Sequence, residues 1–138
     1  MKIPIYRAKK INNDEYVIGF YVFSNIDRDT HLIRIDETYW EDTGLVYSEV
    51  EIDPSTLAIH FPDMLDRKGN KIFASLSEDG KGGDIVNIFG KGICYLTFDI
   101  NGAYATIVDN TANIFDDIFP FSESLTENDI GIITGIKQ

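Results

Sequence analysis

Apolar and polar residues alternate with a period of two along most of the chain, which is the period of β-strands. The runs richest in β-branched and aromatic residues lie at 16–23, 46–52 and 92–107. Residues 3–8 and 16–23 flank the turn-forming sequence Asn12-Asn13-Asp14 and are predicted to pair as an N-terminal hairpin. Strands are therefore predicted to dominate the fold.

The clearest local signal is Asn101-Gly102, which stands between two alternating apolar runs. Asn-Gly favours a two-residue hairpin loop, because a type I′ turn needs positive φ at both central residues. Residues 110–119 have apolar side chains at a spacing that suits one short helix, and Pro120 would end it. Residues 129–136 are predicted to form a last buried strand.

Length and composition indicate one folded domain's worth of chain. The 138 residues include nine Phe, seven Tyr and one Trp, which is enough large apolar surface for a buried core. Cys94 is the only cysteine and lies in an apolar run, so a small buried side chain is expected rather than a disulfide or a reactive thiol. No signal peptide and no stretch of about 20 apolar residues is evident, which predicts a cytoplasmic protein without membrane association.

The charge is strongly acidic and unevenly distributed. The chain has 23 acidic and 12 basic residues, and residues 99–136 contain no Lys or Arg. Direct binding of nucleic acid is not expected there, because such binding needs cations that displace counterions from phosphates. The basic residues Lys2, Arg7, Lys9 and Lys10 are the only support for a direct nucleic-acid binder. The acidity either serves solubility or forms a nucleic-acid mimic that occupies the basic groove of a host DNA-binding enzyme.

Motifs for catalysis or for cofactor and metal binding are weak. Residues 78–84, Glu-Asp-Gly-Lys-Gly-Gly-Asp, lack the Ser/Thr and the following helix of a phosphate-binding loop, and they lack the spacing of an EF-hand calcium loop. His31, His60 and Cys94 show no metal-ligand spacing. We therefore predict a loop between strands at 78–84, no cofactor, no catalytic or metal-binding residue and no enzymatic activity.

Two sets of residues are candidates for an interaction surface. Tyr39, Trp40 and Tyr47 are chosen because Trp and Tyr dominate binding hot spots, although partial burial would equally explain them. Residues 36–43 fit either a loop or a short helix. Asp116 and Asp117 are the candidates on the acidic side. Edges of short strands also suggest a homo-oligomer formed by strand pairing.

Several short pieces of the chain follow one another in a recognisable order. They are Ile-Tyr-Arg-Ala-Lys-Lys at 5–10, Glu-Tyr-Val-Ile-Gly-Phe-Tyr at 15–21, Ile-Asp-Pro-Ser-Thr at 52–56, Leu-Asp-x-x-Gly-x-x-Ile-Phe at 65–73, Gly-Asp-Ile-Val at 83–86 and the closing strand at 130–136. This order resembles the YopX-like family of phage and prophage proteins. The chain departs from the family pattern in two places: Pro62-Asp63-Met64 replaces the usual Thr-Gly, and residues 74–82 are inserted before 83–86.

The resemblance implies a mainly β fold with a small SH3-like barrel in the second half, and an origin in a phage or mobile element. It implies no known activity. We expect an N-terminal β-hairpin or meander region at 1–56 and the barrel region at 57–138, which can form one compact unit. The expected function is a non-catalytic protein-interaction or assembly module whose partner is another protein or a second copy.

Overall fold

The structure, a computed structural model, describes residues 4–24, 29–40, 44–108, 118–121 and 130–138, and over 36–40, 44–47 and at residue 119 it describes the backbone alone. The strands within these residues are β1 (Ile5–Lys9), β2 (Tyr16–Ser24), β3 (Thr30–Trp40), β4 (Gly44–Glu51), β5 (Ala58–His60), β6 (Ala74–Ser75), β7 (Asp84–Ile88), β8 (Gly92–Asp99), β9 (Gly102–Ile107), β10 (Ile118–Pro120) and β11 (Ile130–Ile136). A 3₁₀ turn, Pro54–Thr56, precedes β5. The prediction of a mainly β protein is confirmed.

The strands form one sheet in the order β10-β9-β8-β6-β5-β1-β2-β3-β4, and β7 adds pairings with β8 and β11. All these pairings are antiparallel except the short one between β6 and β8. The predicted N-terminal hairpin is confirmed as β1 and β2, with Arg7 opposite Ile18. The sheet is open, so the SH3-like barrel stays a prediction.

The N-terminal strands curl around a small core. The first half of β2 pairs with β1 and its second half with β3. Between the two halves lies Gly19, where an added Cβ would overlap the carbonyl oxygen of Arg34. A bridge between Lys10 and Ile52 brings the end of β4 back beside β1. The buried side chains enclosed are Ala8, Ile33, Ile52 and Leu57.

The C-terminal strands are organised around β8, which pairs with β9 along one edge and with β7 and β6 along the other. One face of this part of the sheet covers the larger core, built from Met64, Ile72, Ala74, Val86, Ile88, Cys94, Leu96, Ala105, Phe121 and Ile130. The predicted burial of Cys94 is confirmed. The predicted final strand is confirmed as β11, which pairs with β7. Its predicted burial is wrong, because Ile130 is its only buried residue.

Two local predictions differ from the structure. The helix predicted over 110–119 is wrong at its end, because Ile118 and Phe119 belong to β10 and pair with β9; residues 110–117 lie outside the described residues. The hairpin predicted at Asn101-Gly102 is present, but Gly102 pairs with Asp99, so the loop residues are Ile100 and Asn101. In segment 36–43, residues 36–40 continue β3 as a strand rather than a loop or a helix.

Candidate interaction surface

A buried ion pair joins two of the pieces that carry the family resemblance. Arg7 Nη2 lies 2.8 Å from Asp84 Oδ1 and also donates a 2.8 Å hydrogen bond to the Gly82 carbonyl. Asp84 Oδ2 accepts the backbone N–H of Phe73 at 2.8 Å. The Arg7 guanidinium lies over the Phe73 ring, 4.6 Å from its centre. Burial raises the pKa of Asp84, while the charge of Arg7 acts in the opposite direction. This arrangement connects β1 to β7 inside the protein.

The carboxylate of Asp66 organises the polar turn at 65–71. Its Oδ1 accepts the backbone N–H groups of Lys68 and Asn70 at 2.9 and 2.8 Å, and its Oδ2 accepts the Asn70 side-chain amide at 3.1 Å and the Ile133 N–H at 3.2 Å. Burial acts to raise the pKa of Asp66, but the hydrogen bonds from Asn70, Ile133 and Lys68 together lower it. Asp66 therefore stabilises the turn and connects it to β11.

The polar segments 52–56 and 78–84 also use their polar side chains for internal hydrogen bonds. Asp53 Oδ1 accepts the backbone N–H and the hydroxyl of Ser55 at 3.0 and 2.7 Å, and Thr56 Oγ1 accepts the Lys9 N–H at 2.9 Å. In the loop at 78–84, Asp79 Oδ1 accepts the Lys81 N–H at 3.0 Å. The prediction of a loop between strands is confirmed there, since it connects β6 to β7.

The residues considered for catalysis or metal binding are Cys94, His60 and His31, and each is buried or hydrogen-bonded within the fold. Burial raises the pKa of the Cys94 thiol to about 11, which leaves it protonated at neutral pH. His60 Nδ1 lies 2.9 Å from the Ile72 carbonyl oxygen and must donate to it, and His31 Nδ1 pairs with the Tyr21 hydroxyl. Within the described part of the chain, no three His, Cys, Asp or Glu residues are grouped so that they could hold a metal ion.

A groove lies on the face of β8, β9 and β10 that points away from the core. Cys94 and Leu96 are fully buried, so the alternate residues Tyr95, Thr97 and Asp99 face outward. Tyr95 pairs with Thr106, Thr97 with Tyr104, and Thr106 also with Ile118. We call this feature the outer groove. It has a volume of about 470 Å³, and its principal lining residues are Leu76, Glu78, Tyr95, Asp99, Tyr104 and Ile118.

The inserted segment forms one wall of the outer groove. Leu76 and Glu78 belong to residues 74–82, the segment predicted to be an insertion, and Leu76 is 40% exposed. Gly80 packs so closely against the Tyr95 ring that a Cβ there would overlap it. Lys137 covers the same ring, with Nζ 5.5 Å from its centre. The insertion is thus built into the fold and shapes this surface.

The polar and apolar parts of the outer groove are distinct. The described side chains that line it include two carboxylates, Glu78 and Asp99, while the Lys137 ammonium lies over the Tyr95 ring. Asp99 also accepts the Asn101 N–H at 2.7 Å, which fixes its position at the end of β8. Ile118 is 56% exposed. An extended segment with apolar and basic side chains would fit these properties.

The residues predicted as an interaction surface are described only by their backbone or not at all. Tyr39 and Trp40 lie on β3 opposite Leu45 and Gly44 of β4, and Tyr47 lies opposite Asp36. Their side chains are outside the described part of the structure, and Asp116 and Asp117 lie outside the described residues altogether. Sequence reasoning missed the outer groove. The signal was the alternation at 94–97: if Cys94 and Leu96 face inward, Tyr95 and Thr97 must face outward.

Among the described residues, no helix is both long and apolar enough to span a lipid bilayer. Comparison of the chain with protein-family models, with curated proteins and with solved structures returned no match.

Proposed function

We propose that this protein is a non-catalytic protein-interaction or assembly module that binds a protein partner through the outer groove. The observation that carries the proposal is the exposure of apolar and aromatic side chains in that groove, where Ile118 is 56% and Leu76 is 40% exposed. Apolar side chains that line a concavity beside a few polar groups are typical of binding sites. Tyrosine is also enriched at interface hot spots, and Tyr95 and Tyr104 line the groove.

The composition of the groove favours a partner with both apolar and basic side chains. Glu78 and Asp99 lie beside the apolar surface and would reject an acidic partner, since like charges brought together on binding cost free energy. Specificity would then come from the carboxylates and affinity from the apolar contacts.

The resemblance to YopX-like phage and prophage proteins supports the same assignment. Arg7, Asp66 and Asp84, which belong to the shared pieces, are used in internal hydrogen bonds and an ion pair. A pattern that preserves such residues preserves a fold, while the insertion at 74–82 can differ and alter the groove. We accordingly propose a phage-type module that acts in the bacterial cytoplasm and whose C-terminal strands are a variant of the SH3-like barrel.

The experiment is affinity capture from host cells followed by reconstitution with the purified partner. Ile118→Lys introduces a cation into the groove, and Ile11→Lys is the matched control, because Ile11 is similarly exposed (59%) in the β1–β2 turn. We expect Ile118→Lys to raise the Kd for the partner at least about tenfold, and Ile11→Lys to leave this Kd unchanged. Equal affinity of both variants for the partner would overturn the proposal.

A further inference from the structure

An exposed aromatic residue stands at the turn between β7 and β8. Phe89 is 77% exposed, the largest exposed fraction after that of Ile100 among the described large apolar side chains. The turn is closed by a 3.0 Å hydrogen bond from the Lys91 N–H to the Ile88 carbonyl. Gly90 has a φ of 80°, a conformation that glycine adopts without strain. The turn is therefore well defined, and it holds Phe89 in solvent.

Basic side chains surround this phenylalanine. Phe89, Arg67 and Lys91 line a shallow depression, and the described residues that line it include no carboxylate. Arg67 is held there by its backbone, whose N–H donates a 2.8 Å hydrogen bond to the Gly131 carbonyl. We call these three residues the aromatic tip. It combines an exposed aromatic ring with two basic residues on a chain whose net charge is −11.

The aromatic tip is complementary to the outer groove in polarity and charge. The tip has two cations beside an exposed aromatic ring, whereas the groove has two carboxylates beside apolar side chains. One chain therefore has both surfaces: the acidic groove could bind the tip of another copy, and the basic, apolar tip could bind the groove of another copy.

A single copy cannot bring the two surfaces together. The tip precedes Gly92, at the start of β8, and Asp99 is at the other end of that strand. The seven intervening steps span about 23 Å at a strand rise of roughly 3.3 Å per residue. The strand is held by neighbours on both edges, so it cannot fold back on itself.

We propose that a second copy of this chain occupies the outer groove, with its Phe89 between Tyr104 and Ile118 and with Arg67 and Lys91 near Glu78 and Asp99. This inference rests on the proposed function of the groove and names its partner. The contact is heterologous, because two different surfaces meet, so each added copy leaves one tip and one groove open. Association then proceeds beyond a dimer to a ring or a filament.

The first test is the mass of the purified chain as a function of concentration, measured by sedimentation at an ionic strength of about 0.15 M. At this ionic strength the Debye length is about 8 Å, so the repulsion between acidic copies is largely screened beyond contact. We expect a mean mass that rises from that of the 15.6 kDa monomer to more than two copies. A monomer throughout, or a plateau at two copies, would overturn the inference.

The second test uses one variant for each surface. Phe89→Ser removes the aromatic ring from the tip, and Ile118→Lys blocks the groove. Each variant alone should remain monomeric, whereas Ile11→Lys should associate like the wild type. Mixed in equal amounts, Phe89→Ser and Ile118→Lys should form a 1:1 dimer and nothing larger, because one intact tip and one intact groove remain. Association of either variant alone, or failure of the mixture to form the dimer, would contradict head-to-tail contact.

The two proposals fail in different ways. Suppose that the chain stays monomeric, and that the wild type binds a different protein which Ile118→Lys does not bind. The groove is then an interaction site, and its partner is not a second copy. If Ile118→Lys changes neither self-association nor capture, the function proposed for the groove is wrong as well.

Discussion

Arg7 and Asp84 form an ion pair inside the protein, with Nη2 and Oδ1 2.8 Å apart and with 10% and 1% of their side chains exposed. Removing one partner of such a pair leaves an uncompensated buried charge, which costs about 3–5 kcal/mol. We expect Arg7→Met to lower the free energy of unfolding by about that amount, measured by urea denaturation.

The control for this prediction is Arg34→Met. Arg34 pairs with Glu49 at 3.0 Å on the surface, with side chains 39% and 30% exposed, and surface pairs contribute roughly 0–1 kcal/mol. A double variant, Arg7→Met with Asp84→Asn, should be less destabilised than the sum of the single variants, because it removes both charges. Additive losses would show that the two residues act independently.

Asp66 predicts how stability changes with pH in acid. Its pKa is lowered in the folded protein. Its contribution to the free energy of unfolding is therefore complete above the pKa of the unfolded chain, about 3.9, and is lost as the pH falls through the pKa of the folded protein. Asp84 has the opposite sign: its pKa is raised, so its protonated form favours the folded state and the benefit disappears as the pH rises through the folded value. The free energy of unfolding of each variant must therefore be compared with that of the wild type at the same pH.

Asp66→Asn is expected to destabilise the protein above pH 4 by about 1–3 kcal/mol, because one amide cannot accept all the hydrogen bonds that the carboxylate accepts. The loss relative to the wild type should shrink as the pH falls below about 3.9, and urea denaturation at a series of pH values measures it. A difference between variant and wild type that stays constant from pH 6 to pH 2.5 would refute the assigned role.

Gly19 predicts a steric effect on the path of β2. An added Cβ would overlap the carbonyl oxygen of Arg34, so Gly19→Ala must push β3 away from β2. We expect a loss of about 1–3 kcal/mol or more, as in overpacked cores. Gly135→Ala is the matched control in β11, since no atom lies within 4 Å of its added Cβ. Thermal denaturation that ranks the two variants equally would contradict the close approach.

Cys94 predicts chemical inertness. It is fully buried, and its pKa is raised to about 11, so both access and the thiolate fraction are low at neutral pH. We expect thiol reagents to label the native protein at least about a hundredfold more slowly than the urea-unfolded chain at the same pH. Rapid labelling of the native protein would show that the β7–β8–β9 core opens readily.

Local patterns predicted several elements of this fold because their causes are local. The turn residues Asn12-Asn13-Asp14 and the alternation on both sides of them were sufficient for the β1–β2 hairpin. The hairpin at β8 and β9 was predicted one residue out of register. There the Asp99 carboxylate binds the Asn101 N–H, which places Gly102 in the ladder rather than in the loop.

Other features depend on distant parts of the chain and have no local signature. Ile118 fits the apolar spacing of a helix equally well, and only pairing with Thr106 of β9 makes it part of a strand. Likewise, nothing near Arg7 indicates that Asp84 will neutralise it. For the outer groove, the alternation at 94–97 indicates which side chains of β8 face outward. The wall at 76–78 has no such local signal, because it becomes a neighbour of β8 only through the pairing of β6 with β8.

The pairing of β11 with β7 sets an order for folding during synthesis. The Ile133 N–H donates to Asp66, the Lys137 N–H donates to the Gly83 carbonyl, and the Lys137 carbonyl accepts the Gly82 N–H. The Asp66 turn and the loop before β7 therefore acquire their full sets of partners only after these late residues have left the ribosome. Until then Val86 and Ile88 of β7 lack the cover of Ile130, so they stay open to chaperones and proteases while residues 89–130 are being synthesised.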